Sequence, residues 1–162
     1  MATPENLQLA CEKVYANKGA PGMDGVTVDD IEEHIPEYDS AILRKVKDGS
    51  YQPLPVKGVY IPKENGAKRA LGIPVVRDHI VQQMILNILD PYIDPHFSDY
   101  SYGFRKGRNA HDAIRQVEAY ANEGYIYVVN CDLSKYFDTV HYQKLMSYVG
   151  YYVKDKTVNY LL

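Results

Sequence analysis

A short region of alternating hydrophobicity, set among segments of helical periodicity, constrains the fold of this chain most. Apolar side chains alternate with others in Val59–Ile61 and Leu71–Ile73, as they do in β-strands. Between these runs lies Asn65-Gly66, a dipeptide typical of a tight hairpin turn. The pattern predicts a β-hairpin within a largely helical chain, which is an α+β fold.

The remaining periodicity predicts helices and one further strand. The first helices are expected at 4–16, at an acidic turn opened by a Thr27–Asp30 capping box and interrupted at Pro36, and in a short segment ending near Gly49. Later helices are expected from Asp78 to Pro91 or Pro95, from an Asn109–Asp112 cap to Gly124, and from about Asp138 to Tyr148. The β-branched run Tyr125–Leu133 predicts a central, buried strand.

Length and composition exclude several classes of protein. The chain has 162 residues, 46% hydrophobic and 24% charged, which suits one domain or a domain and part of another. No apolar run approaches the roughly 20 residues of a membrane span, and the N-terminus lacks the pattern of a secretory signal. Its two cysteines, Cys11 and Cys131, form no disulfide framework. We therefore expect a reduced, cytosolic protein.

Charge is distributed unevenly, although the net charge is only -3. Acidic residues without any lysine or arginine fill the segment 24–39, whereas basic residues cluster in two other places. These basic residues are Lys57, Lys63, Lys68, Arg69 and Arg77 in one cluster and Arg105, Lys106, Arg108 and Arg115 in the other. Either cluster alone fits a solvated surface, but two that are interleaved with glycine and aromatic residues favour a phosphate-rich ligand.

Asp132 is the candidate metal ligand, because it stands near the end of the apolar run 125–133. A carboxylate at a strand end is accessible to a hard cation and is held rigidly. An aspartate in a turn is the commoner alternative for any single residue of this kind. Asp138 opens the next predicted helix and is interpreted as its N-cap. The histidines show no i,i+4 pairing, so a zinc site is not expected.

The hairpin tip carries three basic residues, Lys63, Lys68 and Arg69. A two-residue turn would pair Lys63 with Lys68, and a five-residue loop would pair Lys63 with Arg69. Either register sets like charges opposite each other, which favours an anion between them. The alternative is that the long side chains extend into water.

A second basic segment, Ser101–Arg108, reads Ser-Tyr-Gly-Phe-Arg-Lys-Gly-Arg and is called the basic loop below. Its glycines allow close approach of a backbone, its basic groups can meet phosphates, and Tyr102 and Phe104 offer flat faces to bases or sugars. Arg105 and Arg108 could equally tether the loop to acidic neighbours.

Taken together, these segments resemble the N-terminal portion of group II intron-encoded reverse transcriptases (maturases). The ordered motifs are Asn17-Lys-Gly-Ala-Pro-Gly-Met-Asp-Gly25, Gly49-Ser-Tyr-Gln-Pro53, Tyr60-Ile-Pro-Lys63, Lys68-Arg-Ala-Leu-Gly-Ile-Pro74, Arg77-Asp-His-Ile-Val-Gln-Gln83, Ser101-Tyr-Gly-Phe-Arg105 and Asp132-Leu-Ser-Lys-Tyr-Phe-Asp138. Each motif is weak alone, whereas the ordered series is specific. The resemblance implies a reverse-transcriptase-like architecture: an N-terminal extension at 1–50, fingers at 51–115 and the start of a palm at 116–162.

The resemblance also implies roles for individual residues. Asp132 would be the first of three catalytic carboxylates that bind two Mg²⁺ ions. Lys63 and Arg69 would contact the triphosphate of a deoxynucleoside triphosphate (dNTP), and Phe137 would exclude a ribose 2′-hydroxyl. The template-primer or intron RNA would lie along Tyr102, Gly103, Arg105, Lys106, Arg108 and Gln83.

One departure from the family pattern is serious, because no Tyr-x-Asp-Asp motif follows Asp138. A two-metal site cannot be assembled from Asp132 alone. We therefore expect a catalytically inert part of an RNA-directed DNA polymerase, from a bacterial cytoplasm, in which an unfinished palm edge could drive homodimer formation. The alternative hypothesis is an RNA-binding splicing cofactor without catalysis of its own. A soluble domain with no nucleic-acid partner would require every ordered match to be a coincidence.

Overall fold

In the computed structural model, which describes residues 1–62, 66, 68–133 and 136–162, two strands form the expected hairpin. β1 (Lys57–Pro62) pairs with β2 (Lys68–Ile73) in an antiparallel ladder that sets Pro62 opposite Lys68 and Ile61 opposite Arg69. Both expected registers are therefore wrong, because the pairing that continues to Pro62 gives Lys68 and Arg69 uncharged partners. Lys63 itself lies outside the described residues.

Helix α1 (Pro4–Asn17) confirms the expected helix at 4–16. Thr3 precedes it, and the Thr3 hydroxyl oxygen accepts a hydrogen bond of 3.3 Å from the Asn6 backbone N–H. Pro4 fits the first turn, where no backbone N–H is needed. The helix ends at Lys18, which takes the left-handed conformation (φ 47°) common after a last helical turn.

Helix α2 (Ile31–Asp48) begins where the Thr27–Asp30 capping box forms, as the sequence predicts, and ends at Gly49 with φ 75°. The expected interruption at Pro36 is wrong, since the helix continues through that position. A proline inside a helix costs about 3 kcal/mol. Burial of each large apolar side chain contributes about 1.5–3 kcal/mol, which offsets that cost. The buried side chains of α2 are Ile31, Ile42, Leu43 and Val46.

Helix α3 (Val76–Ile93) starts two residues before Asp78 and runs past Pro91. Pro95 lies in the short 3-10 helix Asp94–His96 that follows, so the helix ends between the two expected prolines. Its buried apolar residues are Val76, Ile80, Val81, Met84 and Ile85. The apolar pattern that predicted the helix also includes Ile88, which is 44% exposed.

Helix α4 (Ala110–Asn122) confirms the expected cap, because the Asn109 side chain accepts from the Asp112 backbone N–H and the Asp112 carboxylate accepts from that of Asn109. The expected strand Tyr125–Leu133 is wrong: the segment is neither strand nor helix and is fully exposed. A strand needs a partner for its backbone groups. Within the described residues, no segment pairs with this one.

The C-terminal region holds three helices instead of the single helix expected at about 138–148. They are α5 (Tyr136–Thr139), α6 (Tyr142–Tyr152) and α7 (Lys156–Leu161). Asp155 caps α7, since its carboxylate accepts hydrogen bonds from the backbone N–H groups of Thr157 and Val158.

The chain divides into two compact units, Met1–Asp90 with Val153–Leu162 (the first unit) and Pro91–Tyr152 (the second unit). The first unit holds the apolar core, formed by buried residues of α1, α2, α3 and α7. In the second unit, no residue that the structure describes is buried. Helices with one small antiparallel sheet confirm the α+β class. The three domain boundaries drawn from the resemblance stay a prediction. No helix among the described residues is long and apolar enough to cross a bilayer.

Candidate nucleic-acid site

Arg105 organises the basic loop of the second unit. Its Nε and Nη2 donate to the two carboxylate oxygens of Asp94 at 2.7 and 3.0 Å, and Nη2 also donates to the Asp94 carbonyl oxygen at 3.0 Å. Nη1 donates to the carbonyl oxygens of Ser98 and Ser101 at 2.8 and 3.1 Å. All five guanidinium N–H groups are thus donated within the chain. The side chain is 7% exposed and lies against the Phe97 ring.

The contact between Asp94 and Arg105 also shifts the pKa values of both side chains. Hydrogen bonds from Arg105 hold the pKa of Asp94 below its ordinary value, and the same pair raises the pKa of Arg105. Both groups therefore stay charged near neutral pH. The alternative reading, in which Arg105 tethers the loop to an acidic neighbour, accounts for the donors of Nε and Nη2, and the carbonyl oxygens of Ser98 and Ser101 take those of Nη1.

Arg108 braces the other end of the loop. Its guanidinium donates to the carbonyl and the carboxylate of Asp99, and it lies 5.7 Å from the centroid of the Tyr102 ring. Its backbone N–H donates to the Arg105 carbonyl at 3.3 Å, which closes a turn around Gly107 at φ 75°. One face of Tyr102 is consequently occupied by Arg108.

Two side chains of the basic loop are presented to solvent without such partners. Phe104 is fully exposed (111%) and has φ 57°, and Lys106 is exposed. No atom lies within 4 Å of the position that a Cβ would take at Gly103 or Gly107. The loop therefore offers an open surface with an exposed cation and an exposed aromatic ring, held by the buried guanidinium of Arg105 and the partly exposed one of Arg108.

Asp132 and Phe137 also belong to the second unit. Asp132 is exposed at the end of the exposed apolar segment, and Phe137 is 90% exposed on α5 with its ring 5.6 Å from that of Tyr136. Reverse transcriptase chemistry as implied above needs several carboxylates around two ions. In the part of the chain that the structure describes, no three His, Cys, Asp or Glu residues come together to hold an ion. These residues alone do not fit a two-metal site.

Arg69 lies in the first unit, on β2 opposite Ile61, and is exposed. Lys68 is exposed on the opposite face of the same strand. The remaining predicted triphosphate ligand, Lys63, falls outside the described residues. The described geometry of the hairpin therefore gives one accessible guanidinium.

Gln83 occupies a polar network between α1 and α3 in the first unit. Its Nε2 donates to the Asn87 Oδ1 at 2.9 Å, and the Asn87 Nδ2 donates to the Asn6 Oδ1 at 2.9 Å. The buried Asn6 in turn donates to the Met84 carbonyl at 3.0 Å. Gln83 also lines a cavity of about 210 Å³ together with His79. Its side chain is thus tied to the packing of the two helices.

Sequence reasoning missed a buried carboxylate, Asp78, in the first turn of α3. Its oxygens accept hydrogen bonds from the Tyr51 hydroxyl at 2.5 Å and from the Leu54 backbone N–H at 2.8 Å. Burial and the bond to Asp78 raise the pKa of Tyr51. An aspartate in a first helical turn is ordinarily explained by the helix itself, and its partners lie more than 20 positions away. Nothing local in the sequence signals this contact.

Comparison with known proteins gives the family. The model of the reverse transcriptase (RNA-dependent DNA polymerase) family matches residues 61–158. Protein YkfC of Escherichia coli (strain K12) is 40% identical over 158 residues, which are 94% of this chain and 42% of that protein. The group II intron-encoded protein LtrA of Lactococcus lactis subsp. cremoris is 32% identical over 160 residues, 98% of this chain and 26% of LtrA.

A plant protein is similar over a shorter region: nuclear intron maturase 1, mitochondrial, of Arabidopsis thaliana is 35% identical over 85 residues, 52% of this chain and 12% of that protein. The chain spans less than half the length of each of these relatives. The resemblance to group II intron-encoded proteins drawn from the ordered motifs is confirmed. With its residues 61–158 matched by the family model, the chain belongs to the reverse transcriptase family.

Proposed function

We propose that this chain is the N-terminal part of a group II intron-encoded reverse transcriptase, an RNA-directed DNA polymerase that also binds its intron RNA as a maturase. The similarity to LtrA over 160 residues supports this most strongly, because it extends into the segment before the matched family region. The family match does not favour the alternative, an RNA-binding splicing cofactor without catalysis of its own. The E. coli relative supports a bacterial source, and the cytoplasmic location stays a prediction.

For the polymerase reaction we propose that Lys63 and Arg69 bind the triphosphate of a dNTP and that Phe137 contacts the sugar. Asp132 would be one carboxylate ligand of Mg²⁺, which supplies nucleophile activation and charge stabilisation when bound. The sequence has no Tyr-x-Asp-Asp after Asp132, so further carboxylates would have to come from elsewhere. The chain by itself is therefore expected not to extend a primer in Mg²⁺ and dNTP, and measurable incorporation would contradict this expectation.

For nucleic-acid binding we propose that Lys106 contacts phosphates of the template-primer or intron RNA, while Arg105 holds the basic loop in shape. Tyr102 and Gly103 complete the surface, and the partly exposed Arg108 adds positive charge. The support is the exposure of Lys106 beside arginines that are engaged within the chain. The predicted RNA contact of Gln83 stays a prediction, because its side chain is hydrogen-bonded to Asn87 within the α1–α3 packing.

Fluorescence anisotropy with a labelled single-stranded RNA tests this binding proposal. Affinity should fall steeply with salt, and Lys106→Ala should weaken binding and reduce the slope of log K against log salt by about 0.7. Lys144→Ala is the matched control, because Lys144 is an exposed lysine of the same unit on α6. Salt-independent binding, or equal losses in both variants, would contradict a specific role of the loop.

We also propose that two copies associate through the exposed apolar segment 125–129. Its residues include Tyr127 at 91% and Val129 at 86% exposure, and with Val117 and Tyr120 of α4 they line a groove of about 590 Å³. An unpaired apolar segment readily adds a strand from another chain. Light scattering should show a concentration-dependent dimer that Val128→Lys abolishes. A monomer at all concentrations would contradict the association.

A further inference from the structure

Phe104 has a backbone conformation that its residue type disfavours. Among the described residues, only Lys18 and Phe104 have positive φ without being glycine. Lys18 follows the last turn of α1, where this conformation is common. Phe104 follows no helix, and for a bulky side chain φ 57° is an outlier that glycine or asparagine would occupy at lower cost.

Burial does not compensate for this conformation. The Phe104 side chain is 111% exposed, so the ring gains no packing energy within the unit that carries it. By contrast, the neighbouring aromatic residues Phe97 and Tyr102 each contact an arginine guanidinium. Unfavourable backbone conformations that persist without a packing reason cluster at ligand contacts.

The loop around Phe104 is built to hold this position. Arg105, the next residue, makes five hydrogen bonds to Asp94, Ser98 and Ser101, and the turn that follows is closed by the Arg108 N–H. Because these bonds fix the backbone on the C-terminal side of Phe104, the direction of its Cα–Cβ bond is set before any ligand arrives. Such preorganisation lowers the conformational cost of binding.

The surroundings of the ring indicate what it binds. The exposed cation of Lys106 lies two residues away, and the open space at Gly103 and Gly107 admits a ligand backbone. A single aromatic face beside a cation and glycines suits a nucleobase with its phosphate, whereas an apolar protein partner would need a wider apolar surface. Tyr102 is the less suitable platform, because Arg108 occupies one of its faces.

We propose that Phe104 is the base-stacking contact of the basic loop and takes one unpaired nucleobase of a single-stranded RNA, with Lys106 on an adjacent phosphate. This inference rests on the proposed RNA-binding function. To that function it adds that the contact is base stacking, that it involves an unpaired nucleobase, and that Phe104 makes it. The other aromatic candidate for stacking in this loop was Tyr102.

The test uses the whole chain and a single-stranded RNA that contains 2-aminopurine, whose fluorescence is sensitive to stacking. The wild type should change this fluorescence on binding, and Phe104→Ala should abolish the change and weaken binding by about five- to a hundredfold. An RNA with an abasic site in place of the probe base should bind the wild type and Phe104→Ala with equal affinity. Phe104→Leu should behave like Phe104→Ala, since it keeps an apolar side chain without a π-face.

Two further variants separate stacking from a structural role. Phe104→Gly should melt at or above the temperature of the wild type, because glycine accepts φ 57°, and yet it should lose the fluorescence change. Tyr148→Ala, which removes another exposed aromatic ring of the same unit, should bind RNA like the wild type.

The outcomes distinguish the inference from the function on which it rests. If the wild type binds RNA with the expected salt dependence but Phe104→Ala binds equally well and retains the fluorescence change, the stacking inference is overturned and RNA binding stands. If Phe104→Ala and Tyr148→Ala lose equal affinity, the stacking inference is also overturned. If the wild type shows no salt-dependent binding, the proposed RNA-binding function fails and the inference fails with it.

Discussion

The carboxylate of Asp94 holds the guanidinium of Arg105 by two side-chain hydrogen bonds, of 2.7 and 3.0 Å, across 11 positions of the sequence. This pair ties the basic loop to the short 3-10 helix that follows α3. Asp94, although acidic, therefore helps to hold the shape of a loop that is predicted to bind an anion.

Asp94→Ala is expected to weaken RNA binding, although it removes a negative charge near a basic loop. The loss of the bonds to Arg105 should let the loop leave its binding shape, at a cost of about tenfold in affinity. Anisotropy titrations of Asp94→Ala and Arg105→Ala should give similar losses. If Arg105→Ala weakens binding while Asp94→Ala strengthens it, Arg105 contacts RNA directly and the bracing role is wrong.

Gly22→Ala is expected to destabilise the first unit. A Cβ at this buried glycine would lie 2.6 Å from the Val75 Cα, 2.7 Å from the Val75 nitrogen and 2.8 Å from the Pro74 carbonyl oxygen, all backbone atoms that cannot rotate away. Overpacking of this kind costs about 1–3 kcal/mol. Urea denaturation should show the loss.

Gly19→Ala is the matched control for this prediction, because no atom lies within 4 Å of the position of its Cβ. It should change the free energy of unfolding by less than about 0.5 kcal/mol. Equal stabilities of Gly22→Ala and Gly19→Ala would show that Gly22 does not pack against Pro74 and Val75, the residues that precede α3.

Tyr51→Phe is expected to lower the free energy of unfolding by about 1–3 kcal/mol, because the buried Asp78 carboxylate loses one of its donors. Tyr160→Phe removes a hydroxyl that accepts a 3.0 Å hydrogen bond from Gln52 at the surface, and it should cost less than about 0.5 kcal/mol. Chemical denaturation of both variants checks the difference. A Tyr51→Phe variant as stable as the wild type would contradict a tight Tyr51–Asp78 bond.

How much of the fold was predictable depended on the range of the interactions. The Thr27–Asp30 and Asn109–Asp112 caps form between residues three apart, so the sequence predicts them correctly. The helix through Pro36 was not predictable from local propensity, because burial of apolar residues on both sides of it overrides the penalty. The segment 125–133 has strand propensity, yet a strand also requires a partner.

The candidate site shows the same division. The basic loop was found from its composition, since glycines, aromatic residues and cations lie within eight positions. The sequence left open whether Arg105 faces RNA or an acidic neighbour, and only the spatial position of Asp94 distinguishes the two. The positive φ of Phe104 could not be predicted from the sequence, because no residue type at this position of the loop favours it.

Stability is expected to fall at alkaline pH through Cys11. Burial raises the pKa of its thiol from the ordinary 9.0 to about 11. The folded state holds this proton more tightly than the unfolded state, so the protonated thiol contributes to the free energy of unfolding. This contribution is complete below pH 9 and is lost as the pH rises toward 11, which lowers the free energy of unfolding by about 2–3 kcal/mol. Tyr51, whose pKa is also raised, acts in the same direction.

Urea unfolding at about pH 8 and at about pH 10.5 measures this loss. Cys11→Ala should reduce the difference between the two pH values, although it lowers stability at both. A thiol reagent at neutral pH should modify the exposed Cys131 in the folded protein and Cys11 only after unfolding. Rapid modification of both thiols would contradict the buried position of Cys11.

The most direct measurement of the central proposal is photo-crosslinking of a 4-thiouridine-substituted single-stranded RNA to the chain, followed by mass spectrometry of the peptides. We expect crosslinks within the basic loop, centred on Phe104, which disappear in Phe104→Ala and decrease at high salt. Crosslinks that avoid residues 101–108, or that persist unchanged in high salt, would contradict the assignment of this loop as the RNA-binding surface.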